Sequence, residues 1–145
     1  MDISVEGVML PNTPLSNVEL EEAVKKLDIP NFRGVFMRDE LPLRQRKNEC
    51  GILNLDDSNG TSAGNGDVGT HWVSWWKCGN NKCYFDSYGL QPPNELMSYL
   101  KSPVYYNSER IQPDGEVFCG HLCLYVLKHL SLGKELQTII NSLYM

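Results

Sequence analysis

Three histidines and five cysteines are the side chains of this 145-residue sequence that could serve as base and nucleophile near neutral pH. The cysteines are Cys50, Cys78, Cys83, Cys119 and Cys123; the histidines are His71, His121 and His129. Cys119 is followed by Gly120 and opens a stretch with helical spacing. A helix N-terminus stabilises a thiolate, the reactive form of cysteine. Gly120 has no side chain to obstruct a substrate backbone. Composition alone explains Cys119 equally well as a core residue, because free cysteine is commonly buried. Cys123 falls one turn deeper on the apolar stripe and reads as core. Cys50 also precedes a glycine, but it opens an apolar strand and reads as core too. His129 lies in the last turn of its helix, where the dipole favours a cation. His121 follows the helix start and is expected to be exposed.

His71 stands apart, at the start of a strand directly after a glycine-rich loop. If Thr70–Trp76 pairs antiparallel with Cys83–Tyr88 through a tight turn near Cys78–Asn80, His71 comes close to Asp86. Registers in which paired residue numbers sum to 157 or 159 place the two opposite or diagonal on one face. A slip of one residue separates them. A carboxylate there could orient the imidazole and stabilise its protonated form. A surface Asp at a strand end beside a half-buried His accounts for the hairpin as well as a catalytic pair does. Gln112, seven residues before Cys119, could donate to a developing oxyanion together with the Cys119 backbone N–H.

The elements that must position these residues read as α+β: a small central antiparallel or mixed sheet flanked by helices, with Cys119 at a helix N-terminus. Residues 1–14 are punctuated by Pro and Asn and are expected to be irregular. Ser16 and Glu19 form a capping box with Leu15 and Leu20 as its apolar staple. Leu20, Ala23, Val24 and Leu27 repeat at i, i+3, i+4 and i+7, and Pro30 ends the helix. Phe32–Met37 and Cys50–Leu55 read as extended segments. Residues 58–69 (SNGTSAGNGDVG) form a flexible loop with four glycines. Residues 94–101 read as a short helix and Pro113-Asp114-Gly115 as a turn. Phe118–Leu130 is helical, and a last helix covers 134–143.

Length fits a single domain over residues 1–145, a domain typically holding ~100–150 residues. Apolar residues make up 41% and charged residues 21%, too apolar a mixture for wholesale disorder. No apolar run approaches the ~20 residues that span a bilayer. The start, MDISVEGVMLPN, lacks the basic region and long apolar region of a signal peptide. An odd cysteine count argues for reduced thiols in an intracellular protein rather than a disulfide scaffold. Neither Cys78/Cys83 nor Cys119/Cys123 has the two-residue spacer of a zinc knuckle, so no metal or other cofactor is expected. With 13 basic against 18 acidic residues the net charge is −5, which disfavours a nucleic-acid grip. Arg33, Arg38, Arg44, Arg46 and Lys47, offset by Asp39 and Glu40, read as a solvated basic loop.

The strings Gly69-Thr70-His71-Trp72-Val73, Cys83-Tyr84-Phe85-Asp86-Ser87-Tyr88-Gly89, Gln112 and Cys119-Gly120-His121-Leu122-Cys123 together resemble the adenovirus protease (adenain) family, related to the SUMO-type ubiquitin-like-protein proteases. The order His, acid, Gln, Cys is that family's hallmark. Phe32-Arg33-Gly34-Val35-Phe36 and Cys50-Gly51-Ile52-Leu53-Asn54 extend the resemblance to roughly residues 30–130. It implies a cysteine endopeptidase in which Cys119 attacks the scissile carbonyl. His71 holds the thiolate and protonates the leaving amine, Asp86 orients His71, and Gln112 donates to the oxyanion. Trp72 and Gly120 would line the slot for the substrate backbone. Family members cut after glycine, as a narrow slot walled by an aromatic ring would require. The adenovirus enzyme has Glu where Asp86 stands; the SUMO proteases have Asp.

The resemblance further implies a polypeptide substrate, here precursor proteins of a virion or virus-like element, met in the host cytoplasm or nucleus or in the virion. The adenovirus enzyme's activating peptide is joined through a cysteine before the catalytic Gln. The corresponding segment here, 102–110, has none, so an activating peptide is not expected to be disulfide-linked. A protease of SUMO or ubiquitin-like proteins, and a non-enzymatic binding module on the same fold, are the alternatives.

Overall fold

The computed structural model describes residues 2–56, 71–101, 103–111 and 118–143. The first element is a hairpin, β1 (Ile3–Val5) with β2 (Val8–Leu10), where an irregular segment was expected. Both turn residues take positive φ, Glu6 at 47° and Gly7 at 84°, the backbone that joins two strands through a two-residue loop. Val5 and Leu10 are buried. Strands of three residues are too short to show a period of two, so composition alone dominated the reading there.

Helix α1 (Asn17–Leu27) starts as its capping box dictates. The Glu19 backbone N–H donates to Ser16 Oγ at 3.2 Å, and the Ser16 N–H donates to Glu19 Oε1 at 2.9 Å. Leu20, Ala23, Val24 and Leu27 are all buried. The helix stops before Pro30: Asp28 turns left-handed (φ 55°) and its N–H bonds back to the Lys25 and Val24 carbonyls.

Five strands form one sheet in the order β3 (Phe32–Met37), β4 (Asn48–Asn54), β5 (Trp72–Cys78), β6 (Asn81–Phe85), β7 (Tyr105–Tyr106). β3–β4 and β6–β7 are parallel, and the two central pairings are antiparallel. The sheet is therefore mixed, and β7 is a strand that two residues could not announce. Helix α2 (Asn94–Leu100) lies between β6 and β7; α3 (Cys119–Ser131) and α4 (Leu136–Leu143) follow.

The apolar run on β4 has a double duty. Cys50 and Ile52 join the core under α1, α3 and α4, while Leu53 joins Val73, Trp75, Tyr84, Leu96 and Leu100 on the opposite face. A strand buried on both faces reads as continuous apolar sequence. Gly51 leaves room for an indole: a Cβ there would lie 2.2 Å from the Trp75 ring.

The basic residues are not all solvated. Arg33 pairs with buried Glu49 at 3.1 Å, and Arg38 pairs with Glu95 at 2.9 Å. His121, expected outside, is buried; its Nε2–H donates to the Pro11 carbonyl at 2.7 Å. His129 is also buried and pairs with Glu6 at 2.8 Å. These two contacts tie the N-terminal segment to α3. Among the described residues no helix is long and apolar enough to cross a membrane.

Candidate active site

The β5–β6 hairpin closes through Gly79 and Asn80, with Cys78 paired to Asn81 and φ +61° at Gly79. That tight loop fixes the register, which pairs Ser74 with Phe85 and Trp75 with Tyr84. Continued past the end of the ladder, it sets His71 opposite Tyr88, with Asp86 as the diagonal neighbour. Both contacts are present. His71 Nε2 lies 2.5 Å from Asp86 Oδ1, and the Tyr88 ring stacks on the imidazole at 4.1 Å between centroids.

Asp86 is fully buried and held from several sides. Its Oδ1 also accepts the Tyr88 backbone N–H at 2.8 Å. Its own N–H donates to Asn107 Oδ1 at 3.1 Å, and its carbonyl accepts from Asn107 Nδ2. A carboxylate kept from water beside an imidazole strongly favours the protonated ring. Burial pulls the pKa of His71 down, but the hydrogen bond and charge of Asp86 and the adjacent Cys119 side chain outweigh it, pushing it up to about 9. Asp86 occupies Nε2, so Nδ1, buried and without a close hydrogen-bond partner, is the nitrogen left for the thiol.

Cys119 is the first residue of α3. Its backbone N–H is one of the four that a helix leaves without an intrahelical acceptor, and the helix dipole is positive there. The sulfur accepts the Trp72 backbone N–H at 3.4 Å, while one turn on Cys123 Sγ donates to the Trp72 carbonyl at 3.4 Å. The two thiols thus grip the backbone of one residue, Trp72 of β5, on both sides and fix the helix start beside His71. The β5–β6 hairpin and the start of α3, distant in sequence, therefore bring Cys119, His71 and Asp86 together.

No protein-family model matches the sequence, and no curated protein does. Solved structures do match in three dimensions, and two of them come from one protease. One is the crystal structure of the ASFV pS273R protease, with a TM-score of 0.61 and 16% identity, over 89% of this chain and 61% of that one. The other is its selenomethionine form, with a TM-score of 0.60 and 17% identity, over 89% and 62%. The chain shares the fold of a protease. It spans about three fifths of the length of those neighbours. At this level of identity the likeness is one of fold, and the chemistry must be argued from the site.

The remaining thiols are poor nucleophiles. Burial, with help from Glu49, pushes Cys50 up to about 12, and its Sγ donates to the Pro30 carbonyl at 3.5 Å. Burial pushes Cys83 to about 12 and Cys123 well above its ordinary range. Cys78 is exposed and far along the hairpin. Trp72 is mostly buried, its indole N–H donating to the Leu15 carbonyl at 2.9 Å, yet one side of it lines a groove of about 400 Å³. Gly120 is buried against Leu15, Leu20 and Trp72; a Cβ would lie 3.3–3.4 Å from them, so its missing side chain serves helix packing. Gln112, the Pro113-Asp114-Gly115 turn and the glycine-rich stretch 58–69 lie outside the described residues.

Two residues of the site were not singled out from sequence. Tyr88 stood within the motif string, and the register that brought His71 to Asp86 also implied it. Asn107 carried no signal, because its role depends on β7 lying beside β6.

Proposed function

We propose that the chain is a cysteine endopeptidase that cleaves after glycine. The observation that carries this reading is the buried Asp86–His71 pair beside a thiol at a helix N-terminus. His71 Nδ1 takes the Cys119 proton, and the thiolate sulfur attacks the scissile carbonyl carbon. The C=O electron pair moves to oxygen, where the Cys119 backbone N–H, with the expected Gln112 amide, meets the negative charge. Collapse of the intermediate breaks the C–N bond as His71 passes its proton to the leaving amine. That leaves a thioester on Cys119. Water, losing a proton to His71, hydrolyses the thioester, and the returning proton regenerates the thiol.

The preference for glycine follows from the bulk of Trp72 beside the sulfur. On this reading the Trp72 ring, held by its hydrogen bond to the Leu15 carbonyl, is the aromatic wall of a slot narrow enough to favour a residue without a Cβ. The natural substrates on this reading are precursor proteins of a virus or virus-like element, in keeping with the fold neighbours. The test is cleavage of Gly-Gly- and Gly-Ala-containing peptides read by mass spectrometry, with Cys119→Ala as control. Cuts after glycine that vanish in the variant support the reading. Cuts that persist, or labelling by a SUMO-vinyl probe without peptide cleavage, overturn it.

A further inference from the structure

The groove beside the dyad has a composition of its own. Register places Met37, Asn54 and Trp72 side by side on β3, β4 and β5. This row forms one wall at the strand ends, with Val35 continuing it along β3 on the same face. Neighbouring strands lie ~4.8 Å apart, so Met37 sits about 10 Å from Trp72, the reach of about three extended residues. The row is apolar at both ends and finishes at Glu40, which is exposed on the rim.

Glu40 has no counter-ion among the described residues, and the nearby cation is turned away. Arg38 points to the other side, donating to Glu95 and to the Leu55 carbonyl. Across the groove, Ser16 and Asn17 begin α1. The positive end of that helix is already answered by its own acid, since Glu19 accepts the Ser16 N–H. Among the described residues Glu40 is therefore the one carboxylate that lines the groove, beside the apolar Met37 and Val35. A side chain with a long apolar stem and a cationic end fits such a groove, the stem on Met37 and Val35 and the head at Glu40.

We propose that this groove selects a lysine or arginine about three residues from the scissile bond of the substrate. The inference rests on the peptidase reading and adds a second determinant to glycine. Continuity supports it: Trp72 borders the groove and, through its backbone N–H, also holds the Cys119 sulfur.

The experiment uses glycine-containing peptides in which single positions, three residues to either side of the cut, carry Lys, Met or Glu. Wild type, Glu40→Gln and Glu40→Lys are compared by kcat/KM at low salt. At one of the two positions wild type should prefer Lys over Glu by about tenfold, attraction and repulsion at a half-open site each being worth a few-fold. The ratio should flatten in Glu40→Gln, invert in Glu40→Lys and shrink as salt rises. Equal cleavage of all three by wild type, or a preference that survives Glu40→Gln, overturns the proposal and leaves the peptidase reading intact. Binding of the same peptides to Cys119→Ala, by fluorescence anisotropy, separates the two ideas in the other direction. Lysine-selective binding without turnover by wild type supports the groove and sinks the peptidase; absence of binding and turnover sinks both.

Discussion

Tyr88 lies flat against the imidazole of His71, the ring centroids 4.1 Å apart and the planes 5° from parallel. The same residue donates its backbone N–H to Asp86 Oδ1, the oxygen that faces His71 Nε2. One residue therefore fixes both the plane of the base and the position of its acid. Arg110 places its guanidinium 4.7 Å from the centre of the Tyr88 ring, which braces the tyrosine in turn.

The stack predicts an order among Tyr88 variants. Tyr88→Leu keeps the backbone hydrogen bond but loses the aromatic face, worth ~0.5–1.5 kcal/mol in paired rings. Its kcat should fall about three- to tenfold with little change in KM. Tyr88→Phe restores a flat ring and should be the faster of the two. Steady-state kinetics on one glycine peptide decides it, and equal rates for Phe and Leu would remove the stack from the account.

On the proposed mechanism the proton on His71 sets the alkaline limit of activity. Its pKa is raised from about 6.5 to about 9, so the imidazolium that must protonate the leaving amine persists through neutral pH and is lost as pH climbs through about 9. The hydrogen bond to Asp86 is the largest cause that raises it, followed by the hydrogen bond to Cys119 and then the charge of Asp86. In Asp86→Asn the falling limb of the pH–rate profile should move down toward pH 6.5, with a rate loss of ~10²–10⁴ at neutral pH. A limb that stays near pH 9 in the variant would show that another group holds the proton.

Thiol reactivity should run against exposure. Cys78 is exposed and Cys119 is largely buried, yet near pH 7 iodoacetamide should modify Cys119 first, because a neighbouring imidazolium favours the thiolate. Cys50, Cys83 and Cys123 should stay protected, burial holding all three as thiols. His71→Ala should slow Cys119 at least tenfold while Cys78 is unchanged. Mass spectrometry of one digest reports all five sites. Labelling of Cys119 no faster than Cys123 would mean that the pair does not work in the free chain.

Much of this site was legible because short-range rules placed it. The two-residue loop at Gly79-Asn80 sets a register, and that register carries His71 to Asp86 without reference to the rest of the fold. Ser16 and Glu19 likewise marked the start of α1 three residues apart. What escaped depends on partners distant in sequence. Asn107, directly after the two-residue strand β7, clamps the backbone of Asp86, and His121 is buried with its ring on the Pro11 carbonyl. No period or spacing in the chain encodes either contact. The β1–β2 hairpin escaped for a related reason, its burial depending on α3 rather than on its own alternation.

The second face of the sheet offers a test of stability separate from chemistry. Glu49 is 1% exposed, an acidic side chain that sits among Trp75, Tyr99 and Arg33. It accepts the Trp75 indole N–H at 3.1 Å, the Tyr99 hydroxyl at 2.7 Å, an Arg33 N–H at 3.1 Å and the Arg46 backbone N–H. Burial and the adjacent carboxylate together push the Tyr99 phenol above its ordinary range. Glu49→Ala would leave the Arg33 guanidinium without its carboxylate and the buried Trp75 indole N–H without its acceptor. Breaking a buried pair by removing one partner costs about 3–5 kcal/mol, a large share of the ~5–15 kcal/mol that holds a domain together. The urea midpoint should therefore drop steeply. Removing both charges, in Arg33→Met with Glu49→Met, should recover a substantial part of the loss, because no unpaired charge then remains. A Glu49→Ala variant within about 1 kcal/mol of wild type would show that water reaches this cluster and that the pair is not a buried one.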